Sequence, residues 1–258
     1  MTPPEQRLPG SPLFVVPPTA GHTLTILLLH GLGSTGERFG RELLDTAVTS
    51  SGKRLTDLLP HARFVFPTSK RRRSTAFGRS MLTQWFDLCR TQDPAYLPDR
   101  QLQGLAESAS QILAVIRDEL SRVPPGNLIL GGLSQGCAMA LAVLLCLEHP
   151  VGGFIGMSGF LTYESGLRMV LAEDDYGDGF DPFFDAERPA REQPMVLRCK
   201  ELHAGEAAAE VMRAAGYCVD WKRYENQGHW YKIPDQIDDI VNFISRIGWN
   251  MKAKDDDM

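Results

Sequence analysis

A β-prone apolar run from Asn127 to Leu130 enters Gly132-Leu133-Ser134-Gln135-Gly136, and a helix-prone Ala/Leu stretch leaves it toward Glu148. No other pattern limits the fold as tightly. A strand that turns into a helix within one G-x-S-x-G step forces its serine into a strained backbone. Only glycines at the flanks let strand and helix approach that closely. Ser134 then stands at a helix N-terminus, where unpaired N–H groups and the helix dipole favour the anion formed in acyl transfer. The spacing therefore predicts a nucleophile rather than a structural turn.

The rest of the pattern alternates strands with helices. Strands are expected at residues 12–16, Thr23–Leu29, Ala62–Phe66, Gly152–Met157, Met195–Cys199 and Cys218–Tyr224. Helices are expected over Glu37–Leu59 with a break near Ser50-Ser51-Gly52, over Gln101–Val123, over Gly205–Ala215, and from Pro234 to Ile247. Such alternation calls for an α/β fold, a mostly parallel sheet covered by helices on both faces. Neither a repeat nor an interdomain linker interrupts it, so all 258 residues are expected to form one domain, with its core over about residues 12–247.

Bulk properties exclude several classes. A net charge of −5 argues against a nucleic-acid partner. Five scattered cysteines without a C-x-x-C pair suggest neither a disulfide framework nor a zinc site. The apolar run Leu24–Leu29 is too short to span a bilayer, and Met1–Gly10 lacks the apolar stretch of a signal peptide. The expectation is a soluble, cytoplasmic protein with no stable membrane anchor, no cofactor and no metal.

Acyl transfer needs a base, a group to orient it, and an oxyanion site. His229, in a Gly-His-Trp loop between the last strand and the last helix, is the best base. His30 is locked in a glycine loop, His149 sits at a helix end, and His22, His61 and His203 read as surface or packing residues. The loop His30-Gly31-Leu32-Gly33 follows a strand that would bring it beside Ser134. The backbone N–H groups of Leu32 and Gln135 are the natural oxyanion donors, with Gly31 leaving room for a substrate carbonyl. A phosphate loop is excluded by the lack of a following G-K-[ST].

At these residues the chain resembles the phospholipase/carboxylesterase family of α/β-hydrolases, which contains the acyl-protein thioesterases. The likeness rests on Leu29-His30-Gly31-Leu32-Gly33, Trp85-Phe86-Asp87, Gly131 to Gly136, Met157-Ser158-Gly159, and Trp221-Lys222-Arg223-Tyr224 through Gly228-His229. It covers nearly the whole chain. It implies cofactor-free cleavage of acyl thioesters or carboxylic esters through an acyl-enzyme on Ser134. Substrates implied for thioesterase members are S-acylated proteins and lysophospholipids.

One departure stands out. The family's motif His-Gly-x-x-Asp-x-x-Val, whose Asp is the triad acid, is absent; Met195-Val196-Leu197-Arg198-Cys199 passes instead into Lys200-Glu201-Leu202-His203-Ala204. Glu201 is one candidate to orient His229 and Glu164 a second. The third reading has no acid, through divergence or through a lost coding segment, and the intact remainder favours the lost segment. Losing the acid from such a triad costs about 10⁴ in kcat, so the chain is expected to be a weakened hydrolase. A catalytically inactive relative that binds acylated proteins or lipids is the alternative.

Other stretches weigh less. Phe77, Met81, Leu82, Trp85 and Phe86 read equally as an acyl groove and as core, with Trp85 carried as a substrate contact. Lys70 to Arg73 reads as a solvated loop, residues 161–193 as acidic and irregular with the acidic run 173–181 a mobile surface insertion, and Lys252–Met258 as a disordered charged tail.

Overall fold

The computed structural model describes residues 12–94, 96–172, 194–197, 202–224 and 228–247. Seven of the described strands form one sheet: β1 (Leu13–Val16), β2 (Leu24–Leu29), β3 (Ala62–Pro67), β6 (Leu128–Leu133), β7 (Gly153–Met157), β8 (Pro194–Leu197) and β9 (Cys218–Trp221). Their order is β1-β3-β2-β6-β7-β8-β9. Every pairing is parallel except that of β1 with β3, which closes one edge antiparallel.

β2 and β6 are buried at every residue. This is why they read as unbroken apolar runs rather than alternating ones: helices cover both faces. The alternation survives in which core each residue enters. Leu27, Leu29, Leu128 and Leu130 point to one side, Ile26, Leu28, Ile129 and Leu133 to the other. The first side is covered by α3 (Leu102–Leu120), α4 (Gln135–Leu145) and α6 (Leu202–Ala214). On the second lie α1 (Gly36–Thr46), α2 (Leu55–Leu58) and α7 (Asp235–Arg246). The mostly parallel sheet with helices on both faces is as expected.

Several local expectations need correction. The helical region after residue 36 splits into α1 and α2 around the turn at 50–52, as read, but the helix after Ser134 ends at Leu145, short of Glu148. Lys70 to Arg73 is not a solvated loop. Residues 71–74 form β4 (Arg71–Ser74), hairpin partner of β5 (Ser80–Thr83), and Lys70 and Arg72 both reach Glu107 on α3, at 3.4 and 3.0 Å. The supposedly irregular stretch after residue 160 contains α5 (Glu164–Ala172). The acidic run 173–181 and the tail from Lys252 lie outside the described residues.

Candidate active site

Three strand ends build the site. β6 delivers Ser134, with φ 56° and ψ −121°, a conformation that costs a non-glycine residue about 1–3 kcal/mol. The surroundings enforce it. A Cβ on Gly136 would lie 2.2 Å from the Leu29 carbonyl oxygen, and one on Gly132 would lie 2.6 Å from the Gly136 carbonyl carbon. The Ser134 N–H donates to Met157 O at 2.7 Å, tying the turn to the end of β7, while Ser134 O accepts from Ala138 N–H at 3.1 Å as α4 begins.

β2 delivers the glycine loop. Gly33 N–H donates to Thr83 O at 2.8 Å and Thr83 Oγ1 donates to Ser34 O at 2.5 Å, so the end of β5 holds this loop in place. His30, fully buried, donates from Nδ1 to Gly31 O at 2.7 Å and accepts the Ser69 N–H on Nε2 at 3.0 Å. Burial holds its pKa down at about 4, against a smaller upward pull from the bond to Gly31. It is a neutral structural pin and offers no base. The N–H groups of Leu32 and Gln135 meet no acceptor among the described residues, and both residues line the same cavity as Ser134.

The segment after β9 delivers His229, whose Nε2 lies 2.7 Å from Ser134 Oγ. Its neighbours fix the loop. Trp230 packs edge-on to Phe39 of α1 with ring centres 6.2 Å apart, and the buried Tyr231 places its hydroxyl 3.0 Å from Thr46 Oγ1. Nothing in the Gly-His-Trp motif alone announced this double anchor. The apolar Trp-Tyr pair next to the histidine was its only trace in the sequence.

The cavity above Ser134 has a volume of about 320 Å³. Leu88, Phe160, Phe77 and Pro94 give it apolar walls, and Ala204 of α6 and Trp230 complete the rim. Phe77 thus belongs to the groove. Trp85 does not reach it. The indole is fully buried, with Nε1–H donating to His30 O at 2.8 Å, and the side chain supports the glycine loop from behind. The other residues of that motif are also supports: Phe86 is buried, and Asp87 accepts from the N–H of Thr75 at 2.8 Å and from its hydroxyl at 2.5 Å.

The two acid candidates fare differently. Glu201 lies outside the described residues. Glu164 sits on α5, where its carboxylate takes the Arg168 Nε–H at 2.9 Å; among the described residues lining the cavity it does not appear. Gly31, Leu32, Ser134, Gln135 and His229 are brought together, and the set holds what acyl transfer asks of a nucleophile, its proton acceptor and main-chain donors. Among the described residues, no helix is long and apolar enough to cross a membrane.

Known proteins resemble the chain over most of its length. Acyl-protein thioesterase 1 of Yarrowia lipolytica is 27% identical over 241 residues, spanning 92% of this chain and 97% of that protein. Its counterpart in Saccharomyces cerevisiae is 27% identical over 230 residues, spanning 86% and 92%. The crystal structure of Zea mays acyl-protein thioesterase 2 superposes with a TM-score of 0.69 at 24% identity, over 92% of this chain and 99% of that one, and so shares the α/β-hydrolase fold. The phospholipase/carboxylesterase family matches residues 11–171, from β1 through the serine turn to α5. That match takes in well over half of the sequence, and the chain belongs to the phospholipase/carboxylesterase family.

Proposed function

We infer that this chain is a serine hydrolase of acyl thioesters or carboxylic esters, working through an acyl-enzyme on Ser134. The observation that carries the reading is the 2.7 Å contact between His229 Nε2 and Ser134 Oγ beside two open main-chain donors. Family membership and full-length relatives that are acyl-protein thioesterases support it.

In this mechanism His229 Nε2 takes the hydroxyl proton as Ser134 Oγ attacks the acyl carbon. The N–H groups of Leu32 and Gln135 receive the oxyanion, Gly31 leaves it space, and the imidazolium returns the proton to the departing thiol or alcohol. The apolar cavity takes the acyl chain. S-acylated proteins or lysophospholipids fit that chemistry, in a soluble protein of the cytoplasm built as a single domain. Glu201 remains the residue of this chain best placed in sequence to orient His229.

Burst-phase hydrolysis of a p-nitrophenyl ester tests the reading. A burst and turnover are expected in the wild type and are lost by at least about 10⁴ in Ser134→Ala. A fall of about a thousandfold in Glu201→Gln assigns the acid, and unchanged turnover removes Glu201 from the triad. Absence of any Ser134-dependent turnover sinks the hydrolase reading and leaves a protein that binds acyl groups without cleaving them.

A further inference from the structure

His229 is followed at once by Trp230 and Tyr231, and one helix meets both. Phe39 and Thr46 lie about two turns apart on α1, hence on one face of it. Phe39 takes the edge of Trp230, and Thr46 Oγ1 stands 3.0 Å from the Tyr231 hydroxyl. Counting protons assigns the donor in that second contact. Thr46 has a single hydroxyl proton, and it goes to Glu42 O on the preceding turn at 2.6 Å. Tyr231 therefore donates to Thr46. Burial pushes its phenol up from the ordinary value, so the proton stays in place at neutral pH. The ring packs in the core on that side of the sheet, 4% exposed, where phenylalanine would fill the same space with no polar atom to satisfy. The hydroxyl adds direction rather than burial.

The other end of the same helix carries the oxyanion loop. Thr35 caps α1, accepting the Arg38 N–H on Oγ1 at 3.2 Å, and Leu32 and Gly33 stand just ahead of it. α1 has little freedom to shift between these two duties. A Cβ on Gly36 would lie 2.1 Å from Phe66 O, and one on Gly40 would lie 2.6 Å from the Phe66 ring, so the helix is pressed onto β3. Gly36 N–H donates to Thr68 Oγ1 at 2.9 Å. Phe39, fully buried, packs edge-on to Phe66 with ring centres 5.8 Å apart. One clamped helix thus adjoins the oxyanion loop at its first residue and grips the segment after the base at its last.

We propose that Tyr231 is a positioning residue for His229, holding the imidazole in register with Ser134 and the oxyanion donors through its hydrogen bond to Thr46. This rests on the hydrolase reading above and deepens it. Neither Tyr231 nor Thr46 appears among the described residues lining the cavity. Their effect passes along the backbone of Trp230 to His229, whose Nε2 has to stay within hydrogen-bond reach of Ser134 Oγ. A misplaced base costs rate while the acyl chain goes on binding as before.

Rapid-mixing and steady-state hydrolysis of p-nitrophenyl butyrate, with urea unfolding of each variant, test the assignment. Tyr231→Phe keeps the ring and loses the hydroxyl. Thr46→Val loses the acceptor at an exposed position of α1, outside the core. Each is expected to lower kcat about tenfold or more and to leave KM within about twofold. The burst rate should fall with the steady rate, because His229 serves acylation and deacylation alike. Thr46→Ser keeps a hydroxyl acceptor and should retain turnover within about twofold of the wild type. Tyr231→Phe combined with Thr46→Val should lose no more than either alone, since both remove the same bond. An unchanged kcat in Tyr231→Phe or Thr46→Val, whatever the urea midpoint, makes the bond structural only and overturns the proposal. So does a loss in Thr46→Ser equal to that in Thr46→Val, a change confined to KM, or losses that multiply in the double variant. A wild type without Ser134-dependent turnover fails at the hydrolase reading itself, a distinguishable result that removes the positioning role with it.

Discussion

Gln135 and Trp85 clasp each other across the buried wall of the site. The Trp85 N–H donates to Gln135 Oε1 at 3.0 Å, and the next carbonyl, Phe86 O, accepts from Gln135 Nε2 at 2.8 Å. The Gln135 side chain is consumed by this clasp, so only its main-chain N–H is left to face substrate. Gln135→Ala strips partners from a buried donor and a buried acceptor, each worth about 1–3 kcal/mol when orphaned. A lowered urea midpoint with an unchanged slope is expected, and a midpoint equal to the wild type would show that the clasp carries no stability.

His30 predicts a pH dependence with a definite sign. Its folded pKa, about 4, lies below the unfolded value near 6.5 because burial penalises the charged ring. Between about pH 6.5 and 4 the unfolded chain takes a proton that the folded one refuses, so stability falls as the pH falls through that window. The loss approaches about 3 kcal/mol, at about 1.4 kcal/mol per pH unit. His22, also depressed chiefly by burial, acts in the same direction. Urea titrations between pH 7.5 and 4.5 should show a shallower slope in His30→Asn than in the wild type. Coincident slopes would remove His30 as the cause.

Glu164 offers a clean control for the assignment of Glu201. Its carboxylate is held by Arg168, which also bonds Glu210 on α6 at 3.1 Å. Glu164→Gln should change ester turnover less than about twofold and stability by at most about 0.5 kcal/mol, the scale of an exposed pair four residues apart on a helix. A hundredfold loss of turnover would instead return Glu164 to the triad.

Phe77 tests the acyl groove. It lines the cavity while 48% exposed, so it offers about half a ring to a bound chain. Phe77→Ser should raise KM for an octanoyl ester roughly tenfold, for about 1–1.5 kcal/mol of lost apolar contact, and leave an acetyl ester unaffected. Equal shifts for both esters would place Phe77 outside the groove.

What was legible in the sequence was local in origin. The serine turn, its glycines and its flanking strand and helix all lie within one short segment, and the contacts that enforce the turn come from the strands on either side of β6, β2 and β7. His229 was found through chain order. The role of Trp85 was not, because an aromatic residue in a motif carries the same letters whether it touches substrate or supports the loop that does. Only the bond from its indole to His30 O distinguishes the two. The β4–β5 hairpin was hidden for a related reason. Lys70 and Arg72 face α3 through Glu107, so the inward side of that strand carries charge rather than the apolar alternation by which strands are recognised.

The crowding around Ser134 bears on how such a chain can drift over evolutionary time. Gly132 and Gly136 are required by contact with neighbouring main chain, Leu133 by the core, and Gln135 by its clasp on the Trp85-Phe86 backbone. A descendant that abandoned catalysis would keep all of these to stay folded. Its sequence would go on displaying most of the signature of an enzyme it had ceased to be. The Ser134 hydroxyl and the His229 imidazole are what selection for folding alone leaves unguarded, and in this chain both persist, 2.7 Å apart.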